Sequence, residues 1–288
     1  MTELRKIELV IRRQAGPRAA PRWERFKLEV TPRTTVAEAL DALALGALGD
    51  ADPIAYTAGC LASACGSCAM LVLGRPLPAC TTPLEDVLSK KGTLRLAPLT
   101  KFAIVRDLLV DRARLAAGAA QLGARSGATP FAANRAATLA AEHGPSRVVT
   151  AAEPPPSRSA TAAEHAASRG TTIADHAPAR AATLAERLAL SRCTGCGACI
   201  EVCPETRLVG GFVGAAAVAA HRLIALAPAS AEAQRDLALA LTAPGGIHDC
   251  GDARACVEAC PESLPLDDAL ASSHADASRA FWRGLVRR

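Results

Sequence analysis

Two segments near the start of the chain alternate between apolar and polar positions with the period of a half-buried β-strand. Residues 4–14 and residues 24–30 both follow this pattern, and a period of two predicts strands. Their apolar positions are Leu4, Ile7, Leu9, Ile11, Phe26, Leu28 and Val30. Gln14–Pro17 lies in the turn region between them, so the pattern predicts a β-hairpin.

A short helix is predicted after this hairpin. Thr35 and Glu38 have the spacing of a capping box in front of the amphipathic run Val36–Leu43. Leu71–Leu73 and Leu94–Leu96 are predicted as further short strands. Two strands, a helix and later strands indicate an α+β domain over residues 1–111.

The composition changes between residues 112 and 190, where Ala, Ser, Arg, Thr and Pro dominate. Pro154–Pro156 excludes a regular helix at that point. A weak repeat occupies residues 135–143, 158–165 and 180–187. The repeats are compatible with a helical array that binds a partner. We favour a linker or insertion of short helices, because the segment has too few large apolar residues for a core.

Residues 191–288 have a helical pattern, with apolar runs over 211–227 and 230–241. Pro204 and Pro261 each follow a cysteine and are predicted to start helices, where proline is well tolerated. The sequence therefore predicts an all-α C-terminal domain.

Composition narrows the functional classes. The net charge of +5 over 288 residues includes no basic block interleaved with aromatics, so we expect no nucleic-acid partner. The N-terminus is charged and lacks the apolar core of a signal peptide. No apolar stretch reaches the roughly 18–20 residues that span a bilayer. We therefore expect a soluble chain without a transmembrane segment, whose membrane role, if any, comes through a partner.

All eleven cysteines fall into three closely spaced runs. An odd count in such short spacings argues against disulfides and indicates a reducing compartment. The first run has the four-residue and two-residue gaps of plant-type [2Fe–2S] proteins, followed by one distant cysteine. Its members are Cys60, Cys65, Cys68 and Cys80. Zinc knuckles usually pair their cysteines two residues apart, so a zinc site fits less well. A small residue, Gly66, allows the loop to approach a cluster closely, and the strands around this loop predict a β-grasp ferredoxin domain.

The second run has the spacing of bacterial [4Fe–4S] ferredoxins, in which the cysteine before proline ligates the other cluster of a pair. The third run repeats this spacing with one cysteine missing. On this rule the [4Fe–4S] ligands are Cys193, Cys196, Cys199 and Cys260, and the third site retains Cys203, Cys250 and Cys256.

Ala253 stands where the missing cysteine of the third run would be. Three thiolates hold three irons, so the sequence predicts a [3Fe–4S] cluster. The alternative is a fourth iron held by Asp252 or by solvent, although Asp252 is one residue out of register.

With these motifs the chain resembles the iron–sulfur subunit of succinate dehydrogenase and fumarate reductase. The resemblance covers residues 1–112 and 190–270. It includes Cys65–Met70, Ala79–Pro83, Val105–Asp111 and Gly211–Arg222. It implies a partner flavoprotein with covalent FAD and the dicarboxylate site, and a membrane-anchor subunit with quinone. It also implies a place on the cytoplasmic, inner face of the cell membrane, attached through that anchor.

The sequence departs from the family at two places. After the first cysteine the family usually carries Arg-Glu-Gly, whereas this chain has Leu61–Ser63. The family tryptophan after the fourth cysteine of the full run and the family histidine after Cys250 are both absent, and Gly251 stands in the latter place. The candidate quinone-proximal residues are then Pro204, Arg207 and His248.

The sequence thus predicts a non-catalytic electron-transfer subunit of an oxidoreductase complex of the tricarboxylic acid cycle or of fumarate respiration. No catalytic triad, phosphate loop or nucleotide motif accompanies the cysteines. One alternative is the electron-transfer subunit of another flavoprotein dehydrogenase with a non-quinone acceptor. A remote alternative is a non-redox, metal-binding regulatory module.

Overall fold

The structure is a computed structural model. It describes residues 4–31, 33–44, 53–89, 92–122, 177–227 and 230–286. The first two copies of the weak repeat and Pro154–Pro156 lie outside the described residues. The third copy lies within a helix described below.

The N-terminal part contains a five-stranded sheet with the strand order β2-β1-β5-β3-β4. Its strands are β1 Arg5–Arg13, β2 Arg22–Val30, β3 Ala69–Val72, β4 Arg75–Pro78 and β5 Thr93–Ala97. β1 pairs antiparallel with β2, with Leu9 opposite Phe26, and this confirms the predicted hairpin. β1 also pairs in parallel with β5, so β1 is an interior strand of the sheet, and Leu9 and Ile11 are completely buried.

Helix α1 (Val36–Ala42) packs against this sheet and begins with the predicted capping box. The Thr35 hydroxyl accepts from the Glu38 N–H at 3.2 Å, and the Glu38 carboxylate accepts from the Thr35 N–H at 2.7 Å. Val36 and Leu40 are buried in the same core as β1, together with Cys68 and Cys80. The sheet core therefore supports two cysteines of the first run directly.

A short helix and a second hairpin complete the N-terminal part. They are α2 Leu84–Val87, β6 Ala103–Arg106 and β7 Leu109–Asp111. The β6–β7 turn is tied back to the sheet through Asp107, whose Oδ1 accepts from Arg13 Nε at 3.0 Å. Both side chains are only 2% exposed.

The C-terminal part is helical. Its elements are α3 Ala113–Gln121, α4 Ala177–Ser191, α5 Ala198–Val202, α6 Ala215–Ala225, α7 Ala231–Ala240, α8 Ala255–Glu258 and α9 Leu266–Val286. Helices α3 and α6 pack closely because the residues between them are small. A Cβ added to Gly118 of α3 would lie only 3.3 Å from the Cβ of Ala217 in α6. α3 thus lies at the start of the predicted linker yet contributes Leu115 to the helical core.

The two Cys-Pro pairs do not start helices, and that prediction was wrong. Pro204 lies in a turn after α5 has ended, and Pro261 lies in a turn after α8. Each cysteine follows the last helical residues of a short element, where the chain has to leave the helix to bring its sulfur inward. Proline suits such a position because it has no N–H to leave unpaired.

The fold class predicted from the sequence is confirmed. A domain built on a five-stranded sheet precedes a helical domain, as the α+β prediction requires. Within the described residues, every helix is too short or too polar to cross a membrane.

Candidate iron–sulfur sites

The four cysteines of the first run converge at the edge of the sheet, where β3 and β4 meet the loop 59–68. Cys68 and Cys80 are buried, and their sulfurs lie 3.3 Å apart. Cys60 and Cys65 come from the loop and remain partly accessible. The structure thus brings together all four residues that the spacing selects.

Backbone N–H groups of this loop point at the sulfurs. Three of them donate to Cys60 Sγ at 3.2–3.4 Å, and they belong to Ala62, Ala64 and Cys65. The Ser63 N–H donates to Cys80 Sγ at 3.4 Å. Such donors stabilise negative charge on thiolate sulfur, so the loop is arranged for anionic sulfurs.

The loop adopts this form at the cost of backbone strain. Leu61 and Ser63 have φ angles of +53° and +56°, which L-residues other than glycine rarely adopt. Ser63 occupies the last position of the segment where the related family usually has glycine. The strain is compensated by the N–H groups that the wrapped loop directs at sulfur.

Ser67 acts on Cys65 in particular. Its hydroxyl oxygen lies 3.0 Å from Cys65 Sγ and accepts from the Gly59 N–H at 3.3 Å. Burial raises the pKa of Cys65, but hydrogen bonds from Ser67 and Cys60 outweigh it and leave the pKa at about 7. Burial raises the pKa of the Cys68 thiol to about 12, and a backbone hydrogen bond with Cys80 offsets only part of that rise.

The second site is a small cavity in the helical core. It is lined by the sulfur-bearing residues Cys193, Cys196, Cys199 and Cys260, with Leu264 and Leu266 closing the apolar side. Cys260 belongs to the third run of the sequence. Its position in this cavity agrees with the rule that the cysteine before proline ligates the other cluster of a pair.

The remaining three cysteines form a separate group. The pKa of Cys256 is raised by burial first, and then by the neighbouring Cys203 and Cys250. The pKa of Cys193 is raised to about 11 by burial, with Cys196 and Cys260 as neighbours. The cavity lining and these neighbours group the seven cysteines into the sets of four and three that the sequence predicts. The two sets adjoin each other, since the pKa of Cys199 is raised by burial, by Cys196 and Cys193, and also by Cys256.

The donor sets fit iron–sulfur clusters. Buried thiols with raised pKa values favour their neutral form unless a cation compensates the thiolate, and coordinated iron does so. Among the described residues, no three His, Cys, Asp or Glu side chains surround a single metal ion. Thiol groups of four, four and three, spread around small spaces, suit a polynuclear cluster better than one zinc ion.

The third group offers no fourth thiol. Ala253 is exposed, and the Asp252 side chain is 86% exposed, 3.9 Å from Arg254. The Glu205 carboxylate packs on the backbone of this loop, because a Cβ on Gly251 would lie 2.8 Å from its Oε1. Sequence patterns gave no indication of this contact, which joins two loops 46 positions apart.

The first and second cysteine loops touch each other. Gly66 has a φ of +64°, and a Cβ there would lie 2.7 Å from Cys196 N and 2.6 Å from Thr194 O. Gly197 has a φ of +80°, and a Cβ there would lie 2.6 Å from the Phe102 ring. Two glycines next to cysteines were the only sequence signal of this contact.

Comparisons with known proteins agree with this geometry. Residues 8–117 match the family model of a 2Fe-2S iron-sulfur cluster binding domain, and residues 189–264 match that of a 4Fe-4S dicluster domain. The chain is 26% identical to the succinate dehydrogenase iron-sulfur subunit of Bacillus subtilis, over 99% of this chain and 98% of that protein. It is also 26% identical to the fumarate reductase iron-sulfur subunit of Wolinella succinogenes, over 87% of each chain.

The chain is thus similar over most of its length to the iron–sulfur subunits of succinate dehydrogenase and fumarate reductase. Those proteins are subunits of an oxidoreductase complex. The fold also matches a chain of the Mycobacterium smegmatis Sdh1 complex in the apo form, with a TM-score of 0.67 and 19% identity, over 97% of both chains. The resemblance inferred from the cysteine motifs is thereby confirmed.

The three candidate quinone-proximal residues of this chain are all exposed. Pro204 and Arg207 lie in the loop after α5. His248 lies in a 3-10 turn at Ile247–Asp249. It borders a cavity of about 410 Å³ whose other lining residues are Thr242, Ser278, Phe281 and Trp282. The cavity does not include Pro204 or Arg207.

Sequence reasoning did not connect His248 with this cavity. Trp282 is 61% exposed and Phe281 is 55% exposed, both near the end of α9. The His248 ring also meets the His274 ring edge to face, with centroids 5.7 Å apart. A tryptophan and a histidine thus line the same cavity, and the histidine is two residues before Cys250, although neither stands at the family position.

Proposed function

We propose that this chain passes electrons between a FAD flavoprotein subunit and quinone in a succinate dehydrogenase or fumarate reductase complex. We assign a [2Fe–2S] cluster to Cys60, Cys65, Cys68 and Cys80, and a [4Fe–4S] cluster to Cys193, Cys196, Cys199 and Cys260. A [3Fe–4S] cluster is assigned to Cys203, Cys250 and Cys256. The observation that carries this proposal is the division of the last seven cysteines into a group of four and a group of three.

When bound, the clusters supply one-electron redox centres. The chain's own residues hold these centres in fixed positions and exclude water from them. Cys199 and Cys256 are buried in the same helical core, which brings the second and third sites together. Thr100 and Lys101 tie the sheet domain to α5, since both donate to the Glu201 carboxylate, at 2.6 and 3.1 Å.

The cavity at His248 supports an acceptor of the quinone type. Its volume lies in the range of small-molecule sites, and its lining combines aromatic rings with hydroxyl and imidazole groups. His248 is two residues from Cys250, so a ring bound there would lie next to the third site.

The absence of the family histidine and tryptophan at their usual positions favours the second candidate, a non-quinone acceptor.

The partners and the cellular place follow from the same proposal. The flavoprotein subunit is expected at the partly accessible [2Fe–2S] loop, and a membrane-anchor subunit at the third site. The chain is then peripheral on the cytoplasmic face of the membrane. We propose residues 1–111 and 191–288 as the two cluster domains, joined by the insertion 112–190.

EPR spectra of the anaerobically purified full chain, before and after reduction, test this proposal together with an iron and sulfide count. We expect a signal in the oxidised sample from a three-iron centre, and about nine irons per chain. An EPR-silent oxidised sample with about ten irons would contradict the [3Fe–4S] assignment. A colourless, zinc-containing protein would support the non-redox alternative and overturn the proposal.

A further inference from the structure

We propose that Arg112 locks the first and second cysteine loops together and raises the reduction potentials of the two clusters between which it lies. This inference rests on the proposed function, because it concerns clusters bound at these cysteines. Arg112 lies between β7 and α3, at the junction of the sheet domain with the helical domain. Its role concerns positioning and electrostatics, and it is not a cluster ligand.

The guanidinium of Arg112 donates to four backbone carbonyls in two loops. Nη2 donates to Ser67 O at 3.2 Å and to Ala69 O at 3.0 Å, on both sides of Cys68. Nη1 donates to Cys196 O and, at 3.4 Å, to Gly195 O. One side chain therefore joins the backbone of the first cluster loop to that of the second.

The surrounding packing leaves the two loops little freedom to separate. The contact of Gly66 with Thr194–Cys196 lies at the same interface. The Arg112 guanidinium carbon also lies 6.0 Å from the centre of the Phe102 ring, and that ring packs on Gly197. An arginine suits this place because its planar fork can bond several acceptors at once.

The charge of Arg112 has no carboxylate partner among the described residues. Two other poorly exposed arginines do have one, since Arg13 pairs with Asp107 and Arg222 pairs with Glu186. A partly buried charge without a counter-charge is costly. Carbonyl dipoles offset part of that cost, and bound anionic clusters would offset more.

The cysteine side chains around Arg112 are the natural counter-charges. Burial lowers the pKa of Arg112, while negative charge on Cys196, Cys68 and Cys65 raises it. The same attraction acts in reverse on the clusters. Reduction adds one negative charge, so a fixed cation nearby favours the reduced form and raises the potential. None of the four carbonyls that accept from Arg112 lies next to a cysteine of the third group.

The alternative is that Arg112 is only a structural strap. Three variants separate the two roles. Arg112→Gln removes the charge, and Arg112→Lys keeps it but offers fewer, less well-placed donors for the four carbonyls. Arg114→Gln is the matched control, because Arg114 is two residues away and, within the described part of the chain, donates to Lys101 O at 2.9 Å and to neither cysteine loop.

The experiment is a redox titration of the full chain followed by EPR, with thermal unfolding of the same samples. We expect Arg112→Gln to make reduction of the first and second clusters about tenfold less favourable, about 59 mV for one electron. The third cluster should keep its potential. Arg112→Lys should recover most of the shift but unfold at a lower temperature than the unmodified chain, and Arg114→Gln should leave all three potentials unchanged.

Unchanged potentials in Arg112→Gln with a lower unfolding temperature would overturn the inference and leave only the strap. Equal shifts of all three clusters, or the same shifts in Arg114→Gln, would overturn it as well. If Arg112→Gln assembles no clusters, Arg112→Met takes its place as the neutral variant. Lowered potentials of the first and second clusters support the charge, and potentials equal to those of the unmodified chain contradict it. Failure of the proposed function is distinct, because the unmodified chain would then lack the three-cluster spectra.

Discussion

Gly66 and Cys196 meet at the closest approach of the first two cysteine loops, where a Cβ on Gly66 would lie 2.7 Å from Cys196 Cα. The residues are far apart in the sequence, and nothing but a hydrogen atom fits between them. Short separations favour electron transfer between neighbouring centres. Gly66 is therefore needed both for the left-handed backbone of its own loop and for the spacing of two proposed clusters.

We predict that Gly66→Ala destabilises the chain and weakens the magnetic interaction between the first two clusters. The left-handed conformation costs about 1–2 kcal/mol with a Cβ, and the clash adds about 1–3 kcal/mol. Gly74→Ala is the control, because Gly74 also has a positive φ, +83°, but has no atom within 4 Å. Thermal unfolding and EPR of both variants provide the comparison, and equal losses would show that the loop contact contributes nothing.

The crossover of the Cys-Pro cysteines predicts which cluster each variant loses. Cys260→Ser should remove the four-iron centre and spare the EPR signal of the oxidised third centre, with a loss of about four irons. Cys203→Ser should do the reverse, with a loss of about three irons. Iron analysis and EPR check both variants. If each variant instead loses the cluster of its own run, the assignment of these two cysteines is incorrect.

Glu205 is expected to lower the potential of the third cluster. Its carboxylate packs on Gly251, and its negative charge raises the pKa of the neighbouring Cys250 thiol, after burial and other neighbours. Removing that charge in Glu205→Gln should make reduction of the third centre about tenfold more favourable, about 59 mV for one electron. Glu232→Gln, exposed on α7, is the control. A redox titration that leaves the third potential in place would refute the prediction.

The buried ion pair of Arg13 with Asp107 holds the β6–β7 turn on the sheet. Asp107 also accepts from Gln14 N at 2.9 Å and from Ala55 N at 3.0 Å. Asp107→Ala removes the buried carboxylate beside Arg13 and the acceptor of the Gln14 and Ala55 N–H groups. Each of these two N–H groups left without an acceptor should cost about 1–3 kcal/mol. Glu29→Ala removes an exposed pair with Lys6 and should cost under about 1 kcal/mol. Thermal unfolding midpoints decide, and similar values for the two variants would contradict the expected ranking.

His221 should make stability depend on pH. It is 2% exposed, and its Nε2 lies 2.9 Å from Leu237 O, which fixes the proton on that nitrogen. Burial lowers its pKa below the ordinary 6.5, although the hydrogen bond to Leu237 and the charge of Asp276 raise it. The unfolded chain therefore binds a proton at a higher pH than the folded chain does. Stability is fully present above pH 6.5 and decreases as the pH falls from 6.5 to the folded pKa.

His221→Gln keeps a donor for Leu237 O but does not titrate. Relative to this variant, the free energy of unfolding of the unmodified chain should fall by up to about 1.4 kcal/mol for each pH unit below 6.5 within that window. Thermal unfolding of both proteins between pH 7.5 and pH 5 provides the measurement. Parallel pH profiles would exclude His221 as the source of the acid sensitivity.

The sequence by itself determined the local elements and the metal chemistry. Alternation predicted β1 and β2, the capping box predicted α1, and the cysteine spacings predicted cluster types that the matched family models confirm for 2Fe–2S and 4Fe–4S. These features depend on neighbours within about a dozen residues, and the side-chain period or ligand spacing records them directly. The prediction that helices begin at Pro204 and Pro261 was wrong, because each proline lies in the turn that follows a short helix and its cysteine.

Only the tertiary structure decided how the sites are related. The contact of Gly66 with Cys196, the four carbonyls around Arg112 and the cavity that His248 shares with Trp282 all join distant segments. In the sequence Arg112 resembles any arginine at a linker boundary, which would ordinarily be solvated. The packing of the two domains places its charge between the first and second sets of cysteines. Local sequence does not record this position, because the position of a charge in space depends on the whole fold.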